Sequence, residues 1–287
     1  MMRLLLVFLL FAITSCSYHP RSVSWNERYS YLRQPKPPKQ KFCKSSHTLF
    51  VMVAAPHLDY GSTERLLCTM SKHPRNGAMD GSVGHAWLAI EGPDGWIEGG
   101  HSGELGTHEK TYLDGVMEGI EKGSSNPSSY LRKTLRDGFF QRGSGGHEPS
   151  YVVACTLTEE QYHALVCYMQ NYDYESYNLS NHQCVSYVVG ALAIAGVDIS
   201  VGEEIWIDSY LRCGGECWQL WSDPEYQWLR IQSPDFLEKE LVQAVHEGCL
   251  VEVRSYYNRK YFTQKRSRLS LYDLFGRTYR HLFFRCR

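Results

Sequence analysis

The chain has 287 residues, 43% of them apolar, and a formal net charge of −1 from 30 basic and 31 acidic side chains. That apolar share is enough for a packed core, and the length suits one large domain or one domain with an appendage. The near balance of charge gives no global basic field for a polyanion to follow, so no nucleic-acid partner is expected.

The chain opens MMRLLLVFLLFAITSCS, with Arg3 followed by an apolar run over 4–13. The run is too short for a permanent membrane anchor and reads as the core of an export signal. Ile13-Thr14-Ser15-Cys16 directly after it resembles a bacterial lipobox. The resemblance implies a lipoprotein signal peptide over 1–15, lipidation of Cys16 (palmitate or a similar chain), and a membrane partner through that lipid. A plain secretory signal cut near Ser15 is the competing reading, and both export the chain. Ser17 rather than aspartate follows the cysteine, which by likeness to Gram-negative lipoproteins implies the outer membrane, facing the periplasm. Residues 16–45, with QPKPPKQK among them, show no helix or strand period and predict an extended tether.

The folded elements are expected over 46–250. HTLFVMVAAP at 47–56 predicts a strand ended by proline. Residues 60–80 are polar and mixed, and predict a loop. In GHAWLAIEGPDGWIEGG at 84–100, two apolar stretches flank Gly92-Pro93-Asp94-Gly95, a turn signal, and predict a β-hairpin. Pairing its strands symmetrically about the turn puts His85, Trp87 and Ala89 on one face with Glu98 and Gly100. His101 falls on the opposite face, and a slip of one residue would exchange Glu98 and His101. His85 is a candidate general base; the competing reading is a rim histidine packed on Trp87.

About 102–149 the chain is rich in glycine and serine and predicts an insertion, either a substrate lid or a disordered loop. A strand is predicted over 150–157. A helix follows over 158–172, with Thr158 and Gln161 as a capping box and Tyr162, Leu165, Val166 and Met169 as its apolar stripe. Residues 201–231 are aromatic-rich and give no clear period. Ser233 and Pro234 start a helix running to 246. The basic, aromatic segment 251–287 predicts an extension, either a contact for anionic lipid or polymer or a packed appendage with a charged surface.

The stretch around which these pieces gather is YNLSNHQCVSYVVGALAIAGV at 177–197. It predicts a polar loop turning into a buried helix, with Ser180 or Asn181 as cap, Cys184 in the first turn and Gly196 as a left-handed C-cap. A thiol there feels the positive end of the helix dipole and nearby N–H groups, which favour the reactive thiolate. An ordinary buried cysteine is the competing reading. The other cysteines, Cys43, Cys68, Cys155, Cys167, Cys213, Cys217, Cys249 and Cys286, have spacings that fix no pairing.

No Walker loop, dinucleotide-binding glycine pattern or HExxH helix is present, so no cofactor is expected. His85, His101, His108, His182 and Cys184 match no metal-ligand spacing, and no metal is expected either.

A histidine strand, GHAWLAI, that precedes a cysteine helix, YNLSNHQCVSYVVGAL, resembles the circularly permuted NlpC/P60-like members of the papain-like superfamily. Their relatives include the lecithin:retinol acyltransferase group and bacterial permuted lipoproteins. The resemblance covers roughly 47–246. It implies an α+β fold with an antiparallel sheet packed on the cysteine-bearing helix. It also implies a catalytic set of Cys184 as nucleophile, His85 as base and Glu98 as the residue that orients it. Gln183 stands where such proteins often carry asparagine. The activity implied is acyl transfer: a membrane-anchored cysteine hydrolase cleaving an amide in a peptide or cell-wall peptide. A lipid acyltransferase or thioesterase, or a non-catalytic binding module, is the alternative.

Overall fold

The computed structural model describes residues 23–35, 42, 45–63, 65–66, 69, 83–93, 95–103, 138–178, 180–213, 216–219 and 227–260. The expected signal peptide and lipidation site Cys16, most of the expected 102–149 insertion, and 261–287 lie outside the described residues.

Strand β1 (Thr48–Ala54) is buried along its whole length, because both of its faces are apolar and both are covered. It pairs with β2 (His85–Gly92) on one side and β5 (Tyr151–Thr156) on the other, both antiparallel. β3 (Gly95–Ser102) follows β2 across the turn, and β4 (Phe139–Arg142) pairs with β3. The hairpin register sets Ala89 opposite Glu98 and Leu88 opposite Gly99, as the symmetric pairing about the turn requires. A short β10 (Val251–Glu252) adds to β5 and completes a six-stranded antiparallel sheet in the order β10-β5-β1-β2-β3-β4.

Alternation along these strands makes two cores. Leu49, Val51, Val53, Ala86, Leu88, Ile90 and Val153 meet three helices: α2 (Glu159–Asn171), α3 (Cys184–Ile194) and α4 (Pro234–His246). Phe50, Met52, Ala54, Trp87, Ala89, Val152 and Ala154 make the opposite core with Val253 and Tyr257. The architecture is therefore α+β, with an antiparallel sheet carrying its main helices on one face.

The helix signals are realised. Thr158 and Gln161 form the capping box of α2, each accepting the other's backbone N–H. Ser233 caps α4, with Pro234 at its first position. Gly196 closes α3 at φ +81, the left-handed region that favours glycine. The described residues of 201–231 include two small ribbons: β6 (Glu203–Trp206) with β9 (Trp228–Ile231), and β7 (Tyr210–Cys213) with β8 (Glu216–Gln219).

The structure moves two expected boundaries. Residues 24–34 are docked rather than extended: α1 (Trp25–Arg28) and the 3-10 turn Ser30–Arg33 bury Tyr29 and Tyr31. At the other end, the sheet continues past 250 into β10, and Val253 and Tyr257 fill the second core. The domain as described thus starts before 46 and runs beyond 250. Among the described residues, no helix is long and apolar enough to cross a membrane.

Candidate active site

Cys184 is the first residue of α3 and is buried. The cap is neither Ser180 nor Asn181 but Gln183, whose side chain accepts from the N–H of Val185. Its backbone N–H donates to Ser186 Oγ at 2.8 Å, a reciprocal box that fixes the first turn. The loop before it is tied by Asn178, whose Oδ1 accepts the backbone N–H groups of Ser180, Asn181 and His182. Ser180 and Asn181 are thus held by a cap rather than serving as one.

Two influences compete at the sulfur. Burial disfavours a charge there, and the N–H groups of Ala86, Val185 and Cys184 itself aim at the sulfur and favour one. Burial prevails, and the thiol is pushed up to about 11. The helix start alone therefore does not make a thiolate, contrary to the expectation from its position.

The Ala86 N–H places the sulfur over the beginning of β2, next in sequence to His85. Yet the His85 ring turns the other way. It stacks on Trp87 at 5.7 Å between centroids and leans on His147 at 4.9 Å. Trp87 belongs to the core on the far side of the sheet from α3. A Cβ built on Gly100 would lie 3.1 Å from His85 Nε2, which sets Gly100 on that same far side.

Glu98 is also there, as the register requires, but it does not orient a histidine. Its carboxylate accepts the indole N–H groups of Trp87 and Trp96, each at 2.9 Å, and the hydroxyl of Tyr257 at 2.7 Å. These three donors make it a tie between β2, β3 and the segment after β10. The roles expected for His85 and Glu98 are therefore corrected. Their mutual register is as expected, but the cysteine helix covers the opposite face of the sheet.

That face carries His101. Its cross-strand partner Phe140 packs against the helical core. The imidazole is fully buried and ringed by Tyr172, Tyr174, Tyr177 and His182, with centroids 5.0–5.8 Å away. All four belong to the segment joining α2 to α3. His101 Nε2 lies 3.1 Å from the Tyr174 carbonyl. A carbonyl only accepts, so the neutral ring carries its proton on Nε2 and leaves Nδ1 as the base. Nδ1 is buried and has no hydrogen-bond partner among the described residues.

The carbonyl of Gln183, the residue before Cys184, also lies near the ring. Burial first, then His182, lower His101 to about 4, although the Tyr174 and Gln183 carbonyls favour the cation. Tyr172 packs on His101 and lies close enough to Cys184 for a thiolate there to raise its phenol, which ties the cage to the sulfur.

Gly138 makes this approach possible. A Cβ there would sit 2.1 Å from the Tyr174 oxygen and 3.0 Å from His101 Nε2.

The site is thus a buried thiol at a helix start and a buried imidazole held through one nitrogen, on one face of one sheet. At neutral pH both are uncharged. Among the described residues, no group of three or more His, Cys, Asp or Glu is placed to hold a metal ion. No family model matches the chain, and no curated protein or solved structure matches it.

Proposed function

We propose that the chain is a papain-like cysteine hydrolase in which Cys184 is the nucleophile and His101 the general base. The observation that carries the reading is the His101 ring: buried on the cysteine-helix face, its Nε2 fixed by the Tyr174 carbonyl and its Nδ1 left for a proton. In the reaction, the Cys184 S–H bond breaks and its proton passes to Nδ1 as sulfur attacks the substrate carbonyl. The Tyr174 and Gln183 carbonyls then stabilise the imidazolium that forms. The N–H groups of Ala86 and Cys184, already aimed at the sulfur, are the donors at hand for the oxyanion. The imidazolium returns its proton to the leaving amine, and water releases the acyl group from sulfur with His101 again as base.

The resemblance to permuted NlpC/P60-like proteins supports an amide substrate, a peptide or cell-wall peptide, and a lipid anchor at Cys16 in the bacterial outer membrane. The second reading, a non-catalytic binding module, has one observation in its favour: the thiol is buried and held protonated.

Incubation of the purified chain with cell-wall stem peptides and a peptide pool, read by mass spectrometry for new amine termini, separates the readings. Turnover should vanish in Cys184→Ala. It should fall about 10²–10⁴-fold in His101→Ala, the usual contribution of a general base. It should survive in His85→Ala. Turnover that persists in Cys184→Ala overturns the proposal. Binding without turnover in the intact chain favours the module, and turnover only of acyl esters favours the lipid acyltransferase or thioesterase.

A further inference from the structure

We propose that Gln183 is a positioning residue that pins the Cys184 thiol in a protonated resting orientation and has to release it before the sulfur reacts. This rests on the reading of Cys184 as nucleophile. Gln183 is itself buried. Its Oε1 lies 3.0 Å from Cys184 Sγ and 3.3 Å from the Val185 nitrogen. Its Nε2 lies 2.7 Å from the Gln232 carbonyl. The amide orientation is settled at both ends, since one end meets two donors and the other an acceptor. An amide oxygen only accepts, so the bond at 3.0 Å needs the thiol proton, which is thereby committed to Gln183.

The energetic sense follows from the bond. A hydrogen bond donated by the neutral thiol stabilises the neutral form, and the negative end of the amide dipole opposes a thiolate. Transfer of the proton to His101 Nδ1 breaks S–H, forms N–H and needs no other reactant, but it requires the S–H to leave Oε1 first. The amide is anchored from outside the helix. Gln232 follows directly on β9, and its own N–H donates to the Ser180 carbonyl at 3.3 Å. The β6–β9 ribbon is therefore connected to the thiol through a single side chain.

The test is the pH profile of Cys184 alkylation in the full chain, followed by mass spectrometry of the labelled peptide and read as the midpoint rather than the plateau. Gln183→Leu keeps the volume and removes the acceptor. Its midpoint should fall by about one pH unit, which is about tenfold more thiolate at pH 7. Gln183→Glu keeps the acceptor and adds a negative charge, so its midpoint should rise. A residue that only caps the helix would leave the Gln183→Leu midpoint at the wild-type value, and that result overturns the proposal. Should Gln183→Leu fail to fold, Gln183→Met, which keeps the side-chain length and removes the amide acceptor, decides in its place. The assay needs no substrate. Unchanged midpoints with intact hydrolysis reject the role of Gln183 only, while shifted midpoints without hydrolysis support it and reject the enzyme.

Discussion

His101 is neutral in the folded chain because its surroundings charge heavily for a proton, and that has a measurable sign. Its folded value, about 4, lies below the ordinary histidine value of 6.5. Between those values the unfolded chain binds a proton that the folded chain refuses. The contribution is intact above about pH 6.5 and is lost as pH falls toward 4. We expect His101→Asn to flatten the acid limb of stability, measured by urea unfolding at pH 7 and pH 4.5, by ~2 kcal/mol after allowance for screening. An acid limb equal to wild type would show that the ring is not held neutral. Gly138→Ala is the companion change, since its methyl group collides with the Tyr174 oxygen. Activity should drop steeply while the sheet stays folded, read as turnover against circular dichroism. Wild-type turnover in that variant would remove Tyr174 from the site.

At the level of elements, the hairpin, α2 and α4 with their caps, and the glycine that ends α3 were all legible, because each has a local cause: a turn tetrad, a capping box, a proline, a left-handed residue. Even the faces of His85, Glu98 and His101 relative to one another followed from pairing about the turn. What the sequence does not show is which face α3 would cover. β1 is apolar on both sides and β2 nearly so, so periodicity assigns two buried faces without ranking them. Nor does a backbone carbonyl such as that of Tyr174 leave any trace in residue type.

Glu98 shows the practical difference. As a tie between strands, its loss leaves two indole N–H groups and a phenol without their acceptor. Glu98→Ala should therefore cost about 2–4 kcal/mol of stability yet leave the rate of Cys184 alkylation unchanged. A selective fall in that rate at unchanged stability would restore it to the catalytic set. Asn178→Ala should act the opposite way. It frees three N–H groups beside the cysteine and should slow turnover more than its ~1–2 kcal/mol loss of stability accounts for. Turnover that stays at the wild-type rate would show that the loop keeps its form without Asn178.

Across the whole molecule, the N-terminal segment is clasped to α4 by buried polar groups. Asp235 accepts the backbone N–H groups of His57 and Leu58, each at 2.8 Å, and its Oδ2 lies 3.0 Å from the Tyr29 hydroxyl and 3.1 Å from that of Tyr60. Glu238 takes the Tyr31 hydroxyl at 3.0 Å and pairs with the His57 ring. Burial works to lower His57, but Glu238 and Asp235 outweigh it and raise the ring above its ordinary value. The sign is opposite to that of His101: the His57 contribution is fully present below about pH 6.5 and is lost as pH rises through the folded value. Tyr29→Phe with Tyr31→Phe should therefore loosen the segment. Limited proteolysis near residues 24–34 would show it as faster cutting at neutral pH, and unchanged cutting would mean that ring packing alone holds it.

The clasp also sets a leash. With the lipid on Cys16 that we propose, the anchor lies eight residue steps before Ser24, where the docked segment begins. At about 3.3–3.6 Å per step these span no more than about 29 Å. A free tether to residue 45 would let the domain roam about 100 Å from the bilayer. Clasped and so anchored, it would stay within the shorter reach of the bilayer, and whatever it meets would have to be brought to the membrane surface.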